Sequence, residues 1–410
     1  MNKESGIARP RSTGGRVGLD ARALTRLRVL NCIRDRGEAS RTDIAAALKL
    51  SPATVTFVTS SLMAGNLIEE VTGAEVPETA KRGRPRVALR LIKGRYHVAG
   101  IKVSRKKMTI VILDFDGEEV GQKQVSLPQP QLEPAEFVIA IRESVAAAFE
   151  DIPGGMGTLA GISIGLAGQV DVKRNFVHWS SSLTQRNVNF GPLVEEHLPC
   201  AAFIDNDANL VAKAELLFGE ARGLNNVLVV TIEHGVGLGI VLDGQLHRGE
   251  RGCGAEFGHT KVALDGASCQ CGQRGCLEAY VGSYGLLRRA KGLIGDGAPD
   301  NVRELVRLAE SGSEPALQVL EEAGRMFGLG LSNLINLFDP ERIILTGASH
   351  RIAHLHSDAA LAQVQSNVVK VDAPLPDIQV HNWDDLIWSR GAAAEGIEQV
   401  SSLKVKELTE

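Results

Sequence analysis

Apolar side chains recur at Leu24, Leu27, Leu30 and Ile33, three positions apart, and predict an amphipathic helix over 20–36 that Gly37 stops. Ser40-Arg41-Thr42-Asp43 has the form of a capping box and opens a second helix carrying Ile44, Ala45 and Leu48. Ser51-Pro52 then supplies an N-cap followed by proline at the first helical position. The third helix runs to about Ala64 with Val55, Val58 and Leu62 inward, and Gly65-Asn66 ends it before a strand at Leu67-Ile68. Three short helices with a tight link between the second and third predict a helix-turn-helix. Alternation at Val87, Leu89 and Leu91 follows Lys81-Arg82-Gly83-Arg84-Pro85-Arg86, and this reads as a hairpin with a basic tip, a wing.

Beyond Tyr96 the period changes. Residues 97–103 and 108–113 are β-rich and lead into Asp114-Phe115-Asp116-Gly117, a hairpin turn. Apolar strands at 161–166, 202–204, 227–232 and 343–345 alternate with helical stretches, which predicts an α/β domain with mixed sheets. No short repeat of fixed period is present. The expected division is a basic tail over 1–18, a winged helix-turn-helix over 19–95 and a large domain over 96–410.

Charge sharpens this picture. Residues 1–95 carry net +9 and the remainder −13 within a chain of net −4. A basic head on an acidic body suits a polyanion partner for the head, here double-stranded DNA. The third helix turns Ala53, Thr54, Thr56, Phe57, Thr59 and Ser60 outward, with Ser51 at its start. These small, hydroxyl-bearing or apolar groups suit phosphates and the thymine methyl in a major groove. Arg84, Pro85 and Arg86 suit phosphates or a narrow minor groove. Aromatics make up only 4% of the chain, too few for stacking on single-stranded nucleic acid. The N-terminus is polar, and no apolar run approaches the roughly 18 residues of a membrane span. A cytoplasmic protein is expected, in which six cysteines serve as metal ligands or isolated thiols.

The sharpest local chemistry is His259 with Cys269, Cys271 and Cys276. Three thiolates and one imidazole complete a tetrahedral Zn²⁺ shell with no open position, so the metal would be structural. Gly272 and Gly275 allow the tight knuckle, within about residues 253–280. Glu256 lies three residues before His259 and Glu278 two after Cys276, so the knuckle would set two carboxylates on one platform. Carboxylates accept hydrogen bonds from pairs of hydroxyls, as a polyol offers. Asn206-Asp207 adds an amide and a third acid at a strand end.

Three segments together resemble the ROK family of bacterial sugar kinases and sugar-responsive repressors. They are Phe203-Ile204-Asp205-Asn206-Asp207-Ala208-Asn209, Gly254-Ala255-Glu256-Phe257-Gly258-His259, and Cys269-Gln270-Cys271-Gly272-Gln273-Arg274-Gly275-Cys276-Leu277-Glu278. The resemblance covers nearly the whole chain. It implies a two-lobed, actin-like and ribonuclease H-like α/β domain, with the winged head marking the branch of xylose, glucose and N-acetylglucosamine repressors. By the same match Asn206, Asp207, Glu256, His259 and Glu278 contact sugar hydroxyls, and Asp207 stands where family kinases keep their base. Ser182 occupies a sugar-loop position where the family often has asparagine.

One departure bears on function. Family kinases open with Asp-x-Gly-Gly-Thr, which cradles ATP phosphates; here the run is Ala99-Gly100-Ile101-Lys102-Val103-Ser104-Arg105-Lys106-Lys107, without a glycine pair. A second phosphate segment survives as Glu233-His234-Gly235-Val236-Gly237-Leu238-Gly239, where the glycines can equally serve packing. The expectation is a homodimeric or tetrameric repressor that binds an operator, answers to a monosaccharide and uses no ATP. A sugar kinase with a DNA-binding appendage is the competing reading.

Overall fold

The computed structural model describes residues 18–71, 87–104, 106–198, 200–347, 352–382, 384 and 386–408. These fall into two units: 1–205 with 392–410, and 206–391. The 1–17 part of the expected tail and the wing tip, including Arg84, Pro85 and Arg86, lie outside the described residues.

The first unit opens with the head: α1 (Ala21–Arg36), β1 (Ala39–Ser40), α2 (Arg41–Leu48), α3 (Pro52–Ala64), β2 (Ile68–Glu70) and β3 (Ala88–Leu91). Local chemistry sets each boundary. Asp20 accepts from the Ala23 amide at 2.7 Å, and Gly37 leaves α1 at φ 69°. Ser40 and Asp43 form the reciprocal capping box of α2. Ser51 accepts from the Thr54 amide at 3.1 Å, with Pro52 beginning α3. The three strands pair in the order β1-β3-β2.

Two expectations for the head need correction. Leu24 is exposed, and the buried face of α1 runs through Ala23, Arg26, Leu30 and Ile33. Counting only leucines misplaced the face, because an arginine buries its stem on it. Thr59 is fully buried, not groove-facing. Its hydroxyl donates back along α3 to Val55 and accepts from Arg41 Nε at 3.2 Å.

The rest of the first unit comprises β4 (His97–Val103), β5 (Lys107–Asp114), β6 (Glu119–Ser126), α4 (Pro134–Ala148), β7 (Leu159–Leu166), β8 (Gly168–Asp171), β9 (Phe176–Ser180), β10 (Val188–Asn189), α5 (Phe190–His197) and β11 (Ala201–Asn206), whose last residue belongs to the second unit. The main sheet has the order β11-β7-β4-β5-β6. Phe137, Ile141, Val145 and Phe190 cover one face over Ile110, Ile112, Ile162 and Ile164. On the other lies the C-terminal helix, α12 (Ile387–Glu407). Gly396 meets Val98 and Ser163 there, and Gly161 admits Val400.

The second unit holds α6 (Asp207–Phe218), β12 (Val227–Ile232), β13 (Val236–Leu242), β14 (Gln245–His247), α7 (Glu278–Val281), α8 (Ser283–Ile294), α9 (Val302–Glu310), α10 (Glu314–Phe338), β15 (Arg342–Gly347), α11 (Asp358–Asn367) and β16 (Asp377–His381). Its sheet order is β14-β13-β12-β15-β16. Strand β12 is apolar except for Thr231, and both its faces are covered. Leu228, Val230 and Ile232 join the core under α8, α9 and α10, while Val227 and Val229 join the core with Val211, Ala214 and Trp388. Each sheet places its first strand third, two successors on one side and two later strands on the other. The chain thus carries a structural duplication with no matching sequence repeat.

His354 lies in the second unit with both ring nitrogens shielded from water and unbonded. Burial pushes its pKa down to about 4. The unfolded chain therefore binds more protons than the native one between about pH 6.5 and 4. The resulting stability is complete above pH 6.5 and falls on acidification, by up to about 1.4 kcal/mol per pH unit. Urea midpoints at pH 7 and 5 should show a smaller drop for His354→Leu than for the wild type; equal drops would exclude this histidine as the cause.

Candidate functional site

The loop after β14 turns back through Ala255, a non-glycine residue at φ 66°, and delivers Glu256 into the short helical turn Phe257–His259. Phe257 is buried in the core of the second unit, and Gly330 of α10 leaves room for its ring and for Leu277. The motif is thereby anchored from beneath while Glu256 and His259 remain partly accessible.

His259, Cys269, Cys271 and Cys276 converge, with one potential ligand atom from each within 4.8 Å of the others. The sulfurs of Cys271 and Cys276 are 3.8 Å apart, and Cys269 Sγ lies 3.6 Å from His259 Nδ1. A tetrahedral shell with Zn–S of about 2.3 Å and Zn–N of about 2.1 Å has edges of about 3.8 and 3.6 Å. A disulfide would need about 2.0 Å. The residues present therefore fit a closed metal shell. Gly275, at φ 72°, makes the knuckle possible, since a Cβ there would collide with the Ala263 carbonyl. Lys261 Nζ donates to Cys276 Sγ at 2.8 Å, a charge-assisted bond that suits a thiolate.

Glu278, at the start of α7, is held at both oxygens. Tyr284 donates to Oε1 at 3.1 Å and the Val236 amide to Oε2 at 3.2 Å. A Cβ on Gly235 would collide with Oε2. Asp207 begins α6, and Asn206 caps that helix by accepting from the Ala208 amide at 2.9 Å. Burial, then the charge of Glu278, then that of Asp207 raise the pKa of Glu256 to about 7. Three carboxylates from three separate segments thus share one electrostatic environment. His259 directs Nδ1 toward Cys269 and Nε2 toward Glu256, 3.9 Å away. One imidazole can serve metal and ligand at once.

Ser182 lies in the first unit, buried, its amide donating to Ser180 Oγ. Also in that unit, Lys102 is nearly buried within β4, between Thr109 of β5 and Gly165 of β7. The Ser104 amide and hydroxyl both donate to the Lys107 carbonyl at 2.9 Å and close the β4–β5 turn. In the surviving glycine segment, Gly235 makes way for Glu278, Gly237 for Thr231 and Ala208, and Gly239 for Ala212. Packing accounts for all three.

In the head, Ser51, Ala53, Thr56, Phe57 and Ser60 are exposed and Thr54 half-buried. Arg41 was missed by sequence reasoning. It links α2 to α3 through Thr59 and to β2 through Glu70 at 2.9 Å. Lys261 and Tyr284 were missed too; only Tyr284, six residues after Glu278, carries a signal, and a faint one. No described helix is long and apolar enough to cross a membrane.

Removing one ligand should empty the metal shell. Elemental analysis of Cys271→Ser should find well under half the zinc of the wild type; equal content would overturn the ligand assignment.

Comparison with known proteins identifies relatives of both parts of the chain. The winged helix-turn-helix DNA-binding profile matches residues 22–69. The xylose repressor of Caldicellulosiruptor bescii is 28% identical over 334 residues, 78% of this chain and 82% of its own. A Streptomyces coelicolor glucokinase is 31% identical over 264 residues, 60% of this chain and 80% of its own. The crystal structure of a ROK family transcriptional regulator, a homologue of the E. coli MLC protein, superimposes with a TM-score of 0.77 at 25% identity, covering 94% of this chain and 99% of that one. The ROK family profile matches residues 98–394, and the chain belongs to the ROK family, with a winged helix-turn-helix at its N-terminus.

Proposed function

We propose that this protein is a monosaccharide-responsive, DNA-binding transcription regulator of the cytoplasm, a repressor of carbohydrate uptake or catabolism genes relieved by its sugar. The observation that carries the reading is the half-buried Glu256 sharing its surroundings with Glu278, Asp207 and His259 Nε2. Carboxylates crowded in this way gain most from a neutral partner rich in hydroxyl donors. Glu256, Glu278, Asp207, Asn206, His259 and Ser182 are the proposed sugar-binding residues. A zinc ion on His259, Cys269, Cys271 and Cys276 would hold the platform rigid and take no part in chemistry.

Ser51, Ala53, Thr54, Thr56 and Phe57 are proposed to meet the operator, joined by Arg84, Pro85 and Arg86 of the wing. Two or four copies would read half-sites about 10 bp, or a multiple, apart. Sugar changes DNA affinity only as far as it binds the two states differently. The missing glycine pair in the run from Ala99 to Lys107, and the closed turn at Ser104, argue against an ATP-dependent kinase.

Thermal unfolding against a panel of monosaccharides, with and without ATP and Mg²⁺, is the first test. One sugar should raise the midpoint by mass action, abolish the operator gel shift and act independently of ATP. A gel shift indifferent to every sugar would overturn the sugar switch. The glucokinase similarity supports the competing kinase; sugar-dependent ADP release, lost in Asp207→Asn, would establish it.

A further inference from the structure

The winged head is joined to the rest of the first unit by a half-buried cation. Arg34, in the last turn of α1, donates from Nε and Nη2 to the carbonyl of Phe115, each at 3.2 Å. Nη2 also donates to Ser401 Oγ of α12 at 2.9 Å, and Nη1 to Asn31 Oδ1 at 2.6 Å. The guanidinium lies 5.3 Å from the centre of the Phe115 ring. Phe115 stands at the tip of the β5–β6 hairpin, where Asp114 Oδ1 accepts from the amides of Asp116, Gly117 and Glu118 and fixes the turn. Asp116 is held in turn by Lys93 at 3.0 Å, at the foot of the head.

Two further contacts involve the C-terminal end of the chain, one at Tyr96 just beyond the head and one at the head itself. Lys404 Nζ lies 5.1 Å from the centre of the Tyr96 ring, and Tyr96 meets Phe115 edge-on. A Cβ on Gly65, the C-cap of α3, would collide with the side chain of Leu408. The turn that ends the third helix of the head is therefore seated on the C-terminal segment.

Burial lowers the pKa of Arg34 to about 10, against the opposing pull of Asp116, Asp35, Glu398 and Asp114. The group stays charged at neutral pH. A planar, bidentate donor on one carbonyl fixes direction as well as distance, which a lysine could not do. Helix α12 is also one continuous element whose first turn, Ile387–Gly391, belongs to the second unit. There Gly391 lies against the Leu210 carbonyl.

We infer that Arg34 is a positioning residue for DNA recognition: it locks the head to the β5–β6 hairpin and to the end of α12, so that operator half-site spacing is set by the large domain. This rests on the DNA-binding reading above but not on the identity of the sugar. Without such a lock, two heads on loose linkers would accept many spacings.

The test uses the full chain, an operator selected from random duplexes, and versions of it with half-sites moved apart by 2 and 4 bp. The wild type should discriminate against the displaced sites at least ten-fold. Arg34→Lys, which keeps the charge and loses the fork, should flatten this to under three-fold. Ser401→Ala should shift it the same way by less, and guards against simple misfolding of the first variant. Hydrogen exchange of the same proteins without DNA should be at least five-fold faster in the last turn of α1 and at 115–118 in Arg34→Lys. Undiminished spacing discrimination in both variants, or unchanged exchange in Arg34→Lys, would overturn the lock. If the wild type selects no DNA, the regulator reading fails, and the exchange measurement still decides whether Arg34 fastens the head.

Discussion

A half-buried carboxylate crowded by two others is the constraint on which the second unit turns. Glu256 sits where its own burial, and the charges of Glu278 and Asp207, all oppose ionisation. Like charges in low dielectric drift apart unless their segments are held. The fold supplies that restraint three times over. Phe257 pins the Glu256 turn to the core, Tyr284 and the Val236 amide grip both oxygens of Glu278, and helix α6 fixes Asp207 at its first residue. The cysteine knuckle lies between the first two of these, so a metal there would stiffen both.

The same restraint explains what became of the glycine-rich segment. In a phosphate-binding loop glycines leave room for a ligand. Here the room beside Gly235 is taken by the Glu278 carboxylate, and that beside Gly237 and Gly239 by residues of β12 and α6. Glycines at these positions are therefore required by the protein's own packing. Their persistence says little about nucleotide.

Most of the fold was legible because it rests on short-range rules. The capping box at Ser40, the Ser51-Pro52 start and the stop at Gly37 each depend on residues within one turn. The continuous apolar runs of β12 and β15 likewise signalled strands covered on both faces. Spacing also exposed the metal cluster, since His259 and the cysteines lie within eighteen residues of one another. What escaped were contacts that join distant segments. Thr59 looked like a groove residue until Arg41, eighteen positions earlier, required its hydroxyl inside. Leu24 looked like core until Arg26 took the buried face of α1. The equal strand order of the two sheets escaped for another reason: hydrophobic burial constrains which positions are apolar, not which apolar residue fills them.

The join between head and large domain is the extreme case of this limit. Arg34 and Ser401 are separated by 367 positions, and neither is unusual in its own neighbourhood. An arginine at a helix C-terminus ordinarily reads as a favourable partner for the helix dipole. In this protein the same side chain keeps one donor on Asn31 of its own helix and spends two others on a single carbonyl of the hairpin. A half-buried guanidinium is held in this way because four of its five donors find acceptors on Phe115, Ser401 and Asn31. Removing any one of these acceptors leaves an N–H group unpaired in a partly desolvated place. The geometry of the head is then tied to the hairpin and to α12 by the cost of breaking the set, and a shift in either must be carried into the helices that face DNA.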